Sequence, residues 1–551
     1  MDVPAQGEQA AAKDTCIKRR SCLCPRSPET SACSDDDSLC NIYRTVPNQD
    51  FDYRNKPREV SGMFGVVAAD QSRCSDIGVH VLEFKGLELA WKRYGKAPWA
   101  SLVAPAAHIA RHGFAAHPYF IYVSSGDFTF RRLRGDPLMR QTFLKPDPTV
   151  KSGWRLPRIG ELCCQRPTLA DTLDAIGKNG VAWLYTPERL QAMSNEIIAA
   201  GGIITPADFL AAEPRIEAPL QDTIFGHTFI FPAPPSSGAV VALVLKIMTG
   251  YQESVGSMGL LGAHRMVESM KHGFAVRMAL GDPGTPAQPF WNVTSVLADM
   301  YSPAFVDSLR ASINNSGVLQ QGQYGGKWNP ANTGISPDDH GTSQVAVVDA
   351  AGNAVSLTTT VNTAYGSNVM SPSTGLLFNN QMDDFSKPGA PNGYGLAPAA
   401  ANFIQPGKRP LSSMSPTIIL LGGKLRMVVG ASGGPYIITA IIQTVLRALF
   451  SGQDPLVAVS QGRIHDQFIP NVLKYESYSF ANVSLQADNA TLVYLQNKGD
   501  TLVLNGDQLG DCQAIMIDST TGLATAVSDP RKDGAPAAAQ TISRGTNPHG
   551  L

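Results

Sequence analysis

The sequence predicts an α+β fold in which helices dominate the first half of the chain and strands the second. From residue 86 to about residue 279, apolar residues recur every three or four positions, which is the period of an amphipathic helix. Strand patterns follow at 344–361 and again at 417–429. Helices and strands that occupy separate parts of a chain are typical of the α+β class.

The composition is that of a soluble globular protein. The chain has 551 residues, of which 43% are hydrophobic and 17% charged. This length suggests three or four domains of roughly 150 residues, or one large enzyme domain. The formal net charge of −1 provides no field that would attract nucleic acid. The apolar runs at 239–248 and 436–450 are shorter than the roughly 20 residues of a membrane span, so we predict buried helices there.

The first part of the chain differs from the rest in composition. Five of the nine cysteines lie in the first forty residues, among many Ser, Pro, Asp and Arg residues, and we predict that residues 1–60 are disordered. Cys22 and Cys24 lack the spacing and the second ligand pair of a zinc site. The four remaining cysteines are predicted to be core thiols: Cys74, Cys163, Cys164 and Cys512.

Shorter elements are predicted in order along the chain. Strand candidates interrupt the helical half at 203–205 and 228–231, and the Asn/Gly/Gln-rich stretch 312–339 is predicted to be a linker or a long loop. Further on, Gly422 and Gly423 form a two-residue hairpin turn between apolar runs.

A threonine directly after a glycine stands at the head of a predicted buried strand. If the Gly341–Thr342 bond is cut, the freed α-amine of Thr342 becomes the base that its hydroxyl needs in order to act as a nucleophile. A turn centred on Ala351 pairs residues so that Thr342 faces Thr360, and the two hydroxyls come within hydrogen-bonding reach. A bulge at Gly352 would shift this register by one, and ordinary strand packing is the alternative role of these threonines.

Three further motifs are ambiguous when each is considered alone. Gly433 and Gly434 lie between a strand and an apolar helix, where backbone N–H groups suit an oxyanion or a carboxylate, although such a turn is usually only a tight connection. The stretch 379–385 has the composition of a solvated loop, and 408–416 places small hydroxyls before a strand.

Taken in order, these motifs resemble the γ-glutamyltranspeptidase family. The match rests on His340-Gly341-Thr342, on the loop at 380–385, on the segment 410–416 and on Gly433-Gly434. Weaker matches lie upstream, and the resemblance runs from about residue 65 to residue 531. It implies the N-terminal nucleophile hydrolase fold, a four-layer αββα sandwich.

The resemblance also implies roles for the catalytic residues. Thr342 would be the nucleophile both for self-cleavage and for catalysis, and Thr360 would orient it. Gly433 and Gly434 would form the oxyanion hole. The cut would leave a helix-rich large-subunit region, 61–341, and a strand-rich catalytic region, 342–551, as two fragments of one heterodimer.

A second group of residues is implied to hold the α-amino and α-carboxylate groups of a γ-glutamyl substrate. Carboxylates and amides suit an ammonium group, and hydroxyls suit a carboxylate. No metal or organic cofactor is implied. The substrate-binding residues are Asn362, Gln381, Asp384, Ser412, Ser413 and the lid-loop tyrosine Tyr394.

The implied reaction is acyl transfer from glutathione or another γ-glutamyl compound. Thr342 would form an ester that is resolved by water, or by the amine of an amino acid or dipeptide acceptor. Family members act outside the cell, at the plasma-membrane surface or in a vacuole, which four sequons fit, at Asn292, Asn314, Asn482 and Asn489. The sequence has no signal or transmembrane segment.

The sequence departs from the family pattern after Glu83. A small-residue helix, a glycine-rich turn and the strand bearing the arginine that pairs with the substrate carboxylate are missing, which predicts an open edge in a central sheet. Two interpretations therefore compete with the enzyme: an inactive family member, or a gene reading that omits this segment. A cephalosporin-acylase-like amidohydrolase is the third, although such an enzyme need not keep Asn362, Asp384 or the two serines.

Overall fold

The computed structural model describes residues 58–62, 65–69, 81–251, 259–330, 341–388, 398–480, 483–506, 508–532 and 534–538. The predicted disordered segment lies almost entirely outside these residues, as does Tyr394. The helices are α1 Val81–Tyr94, α2 Trp99–His112, α3 Pro118–Ser125, α4 Asp127–Gly135, α5 Pro137–Phe143, α6 Pro167–Asn179, α7 Pro187–Ala199, α8 Pro206–Ala211, α9 Gly238–Thr249, α10 Leu260–Arg277, α11 Thr294–Tyr301, α12 Pro303–Ser312, α13 Tyr436–Val445, α14 Pro455–Ser460 and α15 Asn489–Lys498.

The strands cluster in the second half of the chain, so the α+β prediction is confirmed. Several short pairs occur earlier. The strands are β1 Arg58–Gly62, β2 Gly65–Ala69, β3 Phe114–Ala115, β4 Lys145–Pro146, β5 Trp154–Arg155, β6 Leu162–Cys163, β7 Leu220–Ile224, β8 His227–Phe231, β9 Gly284–Thr285, β10 Gln288–Pro289, β11 Thr342–Asp349, β12 Ala354–Thr360, β13 Thr417–Leu421, β14 Lys424–Ser432, β15 Ile464–His465, β16 Leu473–Phe480, β17 Val483–Gln486, β18 Leu502–Asn505, β19 Asp511–Ile517, β20 Ala524–Ser528 and β21 Ala537–Ala538.

A seven-stranded antiparallel sheet forms the centre of the molecule, in the order β1-β20-β19-β14-β13-β8-β7. Helices α9, α10 and α13 pack on one of its faces. Their apolar side chains, among them Val244, Phe274 and Ile441, share a core with Phe229 and Met427 of the sheet. Burial of this apolar area provides the main favourable term of the fold.

A four-stranded antiparallel sheet, β12-β11-β2-β21, packs on the opposite face of the seven-stranded sheet. Its inward residues Val66 and Ala346 contact Val428 and Ile515 of the larger sheet. The layers are therefore helix, sheet and sheet. In the described chain β12 and β21 are the edge strands of this sheet.

Strands from both sides of the Gly341–Thr342 bond contribute to each sheet. The larger sheet takes β1, β7 and β8 from the segment before the bond, and its four middle strands from the segment after it. The smaller sheet places β2 between β11 and β21. The two predicted regions, 61–341 and 342–551, are thus interleaved.

A separate helical group supports the loop that follows residue 378. Side chains of α2, α6 and α7, such as Val103, Leu173 and Leu190, form a core that includes Leu376 and Phe378. Strand pairing in this segment is limited to a single bridge between Leu377 and Met370. Packing against helices, rather than strand pairing, therefore fixes this segment.

Two predictions in the helical half have different outcomes. The strand at 228–231 is confirmed as β8, but the strand at 203–205 is wrong. Thr205 instead precedes the first turn of α8, and its backbone N–H donates to Asp208 Oδ2 at 2.7 Å. A helix cap is a better use of a Thr-Pro-Ala-Asp sequence than a strand end.

The predicted linker at 312–339 is, in its described part, a packed loop. Tyr324 is 1% exposed, and its hydroxyl donates to both carboxylate oxygens of Glu268, at 2.8 and 2.9 Å. Residues 331–340 lie outside the described part. Among the cysteines, Cys163, Cys164 and Cys512 are buried, as predicted, and Cys74 lies outside the described residues. Every helix that the structure describes is too short or too polar to cross a bilayer.

Candidate active site

The β11–β12 hairpin has the register that the sequence predicts. Thr342 pairs with Thr360, and Val348 pairs with Ala354. The turn is held by Asp349, whose Oδ1 accepts from the backbone N–H of Asn353 at 2.8 Å. This local hydrogen bond fixes the turn length, which in turn decides which hydroxyls meet at the far end.

The two threonine hydroxyls form the centre of the site. Thr342 Oγ1 lies 2.8 Å from Thr360 Oγ1, and Thr342 is 6% exposed. The backbone N–H of Asn362 donates to Thr360 Oγ1 at 2.8 Å, and that hydroxyl also lies 3.3 Å from the carbonyl oxygen of Gly341. A hydroxyl has one proton to donate, so Thr360 can donate it to the nucleophile or to the preceding carbonyl.

Gly341 occupies a position that only glycine can fill. Its N–H donates to Asn362 O at 3.1 Å, and its carbonyl accepts from Val361 N at 3.0 Å. A Cβ at this residue would lie 2.0 Å from the carbonyl oxygen of Thr363. The close approach holds the Gly341–Thr342 peptide against the end of β12, next to Thr360.

A lysine that the sequence analysis does not include connects Thr342 to the glycine loop. Lys532 Nζ donates to the carbonyl oxygen of Thr342 at 2.6 Å and to Ser432 Oγ at 2.6 Å. Ser432 ends β14, and Gly433 and Gly434 follow with φ of +115° and +58° before α13 begins. The predicted oxyanion donors, the N–H groups of Gly433 and Gly434, therefore directly follow Ser432, which Lys532 links to the carbonyl of Thr342.

The loop at 379–385 is attached to the hairpin through asparagine contacts. Asn362 Nδ2 donates to the carbonyl oxygen of Asn380 at 3.0 Å. Asn362 has a φ of +76°, a left-handed conformation that asparagine tolerates better than most residues. Beyond it, Gln381 Nε2 donates to Asp384 Oδ2 at 2.5 Å, and the buried Asn402 Nδ2 donates to the carbonyl of Asp384 at 2.7 Å.

The serine pair is held by a network around a buried arginine. Arg277, the last residue of α10, donates from Nη2 to Ser413 Oγ and from Nε to Ser237 Oγ, both at 3.1 Å. Ser237 Oγ donates in turn to the carbonyl of Ser412 at 2.6 Å. Burial lowers the pKa of Arg277 to about 10, and the negative charge of Asp384 partly opposes that shift.

These contacts bring most of the predicted residues into one connected region. A chain of bonds leads from Thr342 through Thr360 to Asn362 and Asn380, and Arg277 links Ser413 to Asp384 electrostatically. Tyr394 and residues 338–340 lie outside the described residues. In the described chain no group of three His, Cys, Asp or Glu side chains could hold a metal ion.

Gln344 supports the hairpin from within the sheet. It is fully buried, donates from Nε2 to Ser356 Oγ at 2.9 Å, and accepts from Thr358 Oγ1 at 2.6 Å. A Cβ on Gly430 would lie 2.3 Å from Gln344, so β14 approaches it closely. This residue thus connects both strands of the hairpin to the larger sheet.

Two residues of the site are missing from the sequence analysis, Arg277 and Lys532. Their partners lie far away in the chain, at 136 and 190 residues' separation, so no local pattern indicates the contact. The only signal is chemical. Arg277 is a cation in a mainly apolar stretch, and such a residue needs a partner that the local sequence does not supply. Lys532 follows Arg531 and lies close to Asp529 and Asp533, so nothing in its stretch of sequence distinguishes it.

The comparisons with known proteins identify the family. The family model for gamma-glutamyltranspeptidase matches residues 77–539. The chain belongs to the γ-glutamyltranspeptidase family. Glutathione hydrolase 2 of Arabidopsis thaliana is 38% identical over 464 residues, which are 82% of this chain and 76% of that protein. The glutathione hydrolase proenzyme of Escherichia coli strain K12 is 32% identical over 451 residues, 81% of this chain and 72% of that protein.

A solved structure confirms the fold of this γ-glutamyltranspeptidase family member. The cephalosporin acylase from Bacillus halodurans has a TM-score of 0.64 and 21% sequence identity, and the likeness covers 87% of each chain. At that identity the likeness concerns the fold alone. The family implies the N-terminal nucleophile hydrolase fold, and of its four αββα layers the described residues form one helical layer and the two sheets.

Proposed function

We propose that this chain is a glutathione hydrolase and γ-glutamyltransferase that becomes active by cutting its own Gly341–Thr342 bond. The observation that carries the proposal is the position of the Thr360 hydroxyl, 2.8 Å from Thr342 Oγ1 and 3.3 Å from the carbonyl oxygen of Gly341. It can orient the nucleophile and stabilise charge on the carbonyl that is attacked.

Self-cleavage begins when Thr342 Oγ1 attacks the carbonyl carbon of Gly341. The tetrahedral intermediate collapses with rupture of the C–N bond, and the hydroxyl proton passes to the departing amine. Water then hydrolyses the resulting ester, which releases the Gly341 carboxylate and regenerates the Thr342 hydroxyl. The products are the fragments 1–341 and 342–551, and the new α-amine of Thr342 lies beside its own hydroxyl.

Catalysis repeats the same chemistry on the substrate. The α-amine accepts the proton of Thr342 Oγ1 as this oxygen attacks the γ-carbonyl of glutathione. Backbone N–H groups of Gly433 and Gly434 stabilise the oxyanion, at about 3–4 kcal/mol per donor in comparable sites. The leaving amine takes the proton, and the γ-glutamyl ester is resolved by water or by the amine of an amino acid or dipeptide.

The substrate's glutamyl end is held along the chain of contacts described above. Asp384, to which Gln381 is bonded, receives the α-ammonium group together with Asn362, which is bonded to the same loop at Asn380. Ser412 and Ser413 receive the α-carboxylate. Tyr394 is the proposed lid residue. Retention of this amino-acid-binding set favours a γ-glutamyl substrate over the cephalosporin-type substrate of an acylase.

The test is to express the full chain, separate it on a denaturing gel and sequence the N-terminus of the smaller fragment. A fragment that begins at Thr342, together with release of p-nitroaniline from γ-glutamyl-p-nitroanilide, supports the proposal. Thr342→Ala should remain a single inactive chain, whereas Ser343→Ala should still be cut. A wild-type chain that stays uncut and inactive would instead support the inactive-relative interpretation.

A further inference from the structure

Arg277 is a buried cation at the end of the site that is proposed to bind a carboxylate. It is 3% exposed, and both of its hydrogen bonds go to neutral serine hydroxyls, Ser237 Oγ and Ser413 Oγ. No ion pair between described residues includes it. The charge of Asp384 acts on Arg277, but no ion pair between described residues joins the two, so an anion that binds beside this guanidinium would still be stabilised by it.

The bonds of Arg277 decide how Ser413 can act. A guanidinium has only donors, so the Ser413 oxygen must be the acceptor of this bond. The Ser413 proton is thereby directed to another acceptor, and the adjacent positive charge makes that hydroxyl a stronger donor. Through Ser237, the same guanidinium also fixes the carbonyl of Ser412.

We propose that Arg277 confers the preference for donors with a free α-carboxylate, because it holds Ser413 as a donor and places a positive charge one hydroxyl away from that carboxylate. This inference rests on the proposed function. Arg277 acts here as a positioning residue, through its bonds to Ser413 and Ser237. Donors with an esterified or missing α-carboxylate are then poor substrates.

The test compares three p-nitroanilide donors: γ-glutamyl, glutaryl, which lacks the α-amine, and 4-aminobutanoyl, which lacks the α-carboxylate. Arg277→Gln should raise KM for the first two by about tenfold, with kcat changed less than about threefold, because a charge-assisted contact is lost. KM for the 4-aminobutanoyl donor should stay within about twofold. Arg277→Lys, which keeps the charge, should recover part of the preference.

Controls separate a loss of specificity from a loss of folding. Arg265→Gln lies on the same helix, and its side chain bonds Asn315 near the surface, so it should leave all three KM values unchanged. Self-cleavage at Thr342 reports that each variant folds. If Arg277→Gln does not fold, Ser413→Ala should produce the same selective loss of carboxylate-bearing donors.

Two outcomes would overturn the inference. One is an equal fall in kcat/KM for all three donors, which indicates a purely structural role, and the other is no change. If the wild-type chain turns over no γ-glutamyl donor, the proposed function fails instead, and binding then tests Arg277 directly. Calorimetry should show that the wild type prefers L-glutamate to 4-aminobutanoate and that Arg277→Gln does not. A wild type without that preference also contradicts the inference.

Discussion

The Thr360 hydroxyl has one proton and two acceptors within reach, the Thr342 hydroxyl and the Gly341 carbonyl. Its oxygen accepts from the N–H of Asn362, and a neutral alcohol oxygen is in any case too weakly basic to take the proton of Thr342. As the tetrahedral intermediate forms, negative charge develops on the Gly341 oxygen, and a hydrogen bond from the Thr360 hydroxyl to this oxygen is the most favourable use of its proton. The requirement is for a hydroxyl at this point, not for the volume of a threonine.

Replacing Thr360 should therefore separate hydroxyl chemistry from packing. Thr360→Val, which keeps the shape, should slow self-cleavage about 100-fold, the typical cost of one missing oxyanion donor. Thr360→Ser should stay close to the wild-type rate. A time course of fragment appearance by intact mass spectrometry measures both rates. Thr359→Val is the matched neighbour, and equal slowing in that variant would refute the specific role of Thr360.

Lys532 should matter for activity and for stability by different routes. Lys532→Met removes the bonds to the Thr342 carbonyl and to Ser432, which we expect to lower kcat about 100-fold through loss of alignment. It also removes the cation that lies 3.5 Å from the fully buried Asp511 carboxylate, which should lower the Tm.

A second substitution tells the two effects of Lys532 apart. In the double variant Lys532→Met with Asp511→Asn, the buried negative charge is gone, so the Tm should recover while kcat stays low. Thermal unfolding and initial rates measure the two quantities, and Lys424→Met, in the exposed β13–β14 hairpin, is the control. Recovery of kcat along with the Tm would show that Lys532 has only a structural role.

At the scale of elements, the hairpin β11–β12 was predictable because strand-forming valines mark its first strand and one short turn signal, 349–353, separates its two strands. These local features fix the pairing of Thr342 with Thr360 without reference to the rest of the fold. The strand prediction at 203–205 is wrong because a local capping interaction outweighs the strand propensity of these residues. The β-branched residues of this segment match a strand, but the capping interaction between Thr205 and Asp208 favours the start of a helix.

The carboxylate end of the site could be predicted only in part. Ser412 and Ser413 follow from resemblance, whereas Arg277 reaches them only because α10 packs on the same sheet from which the serine segment extends. Contacts of this kind depend on how elements pack and leave no periodic signal in the sequence. The contact between Lys532 and Thr342 could not be predicted for the same reason, because it depends on how elements far apart in the sequence pack together.

Strand β12 exposes apolar side chains on its outward face. Val355 is 54% exposed and Leu357 is 40% exposed, and their cross-strand partners in β11 are Val347 and Val345. Together with Val67 of β2, which pairs with Val347, these residues form an apolar surface across three strands. An edge strand with such a face favours self-association.

Polar substitution of this surface should improve solubility at little cost to stability. The double variant Val355→Thr with Leu357→Thr keeps strand propensity while reducing apolar area, so light scattering and dye binding at a given concentration should fall and the Tm should change by less than about 2 °C. Ile203→Thr, at a 77% exposed loop position, is the control for loss of one apolar residue. Unchanged scattering in the double variant would contradict this expectation.

At the scale of the molecule, a buried charge cluster joins the segments on the two sides of the proposed cut. Lys271 of α10 contacts Asp500 at 2.6 Å and Glu268 at 3.1 Å, and Asp466 lies 3.9 Å from it. Three carboxylates share one lysine in a region shielded from water. Burial raises the pKa of Asp466 to about 7, although Lys271 opposes the shift.

This cluster predicts a pH dependence of stability. The pKa of Asp466 is about 7 in the folded state and about 4 in the unfolded state, so its contribution to stability is complete below about pH 4 and is lost as the pH rises through about 7. Asp466→Asn should remove the loss. The Tm of the variant relative to wild type should be higher at pH 8.5 than at pH 5.5, by about 2 °C.

Differential scanning calorimetry at the two pH values measures this difference. Asp171→Asn is the control, because its carboxylate lies at the surface, and its effect on the Tm should be small and the same at both pH values. If Asp466→Asn shifts the Tm equally at pH 5.5 and pH 8.5, the carboxyl group does not titrate in this range in the folded protein.

Each sheet contains strands from both sides of the Gly341–Thr342 bond. Refolding of an uncut chain and refolding of a cut molecule should therefore follow different kinetics. An uncut chain regains β2 between β11 and β21 in a unimolecular reaction. Two separated fragments must first collide, so recovery becomes second order and fails at high dilution. Self-cleavage thus makes refolding concentration-dependent, and a mature molecule that unfolds in dilute solution loses its partner together with its structure.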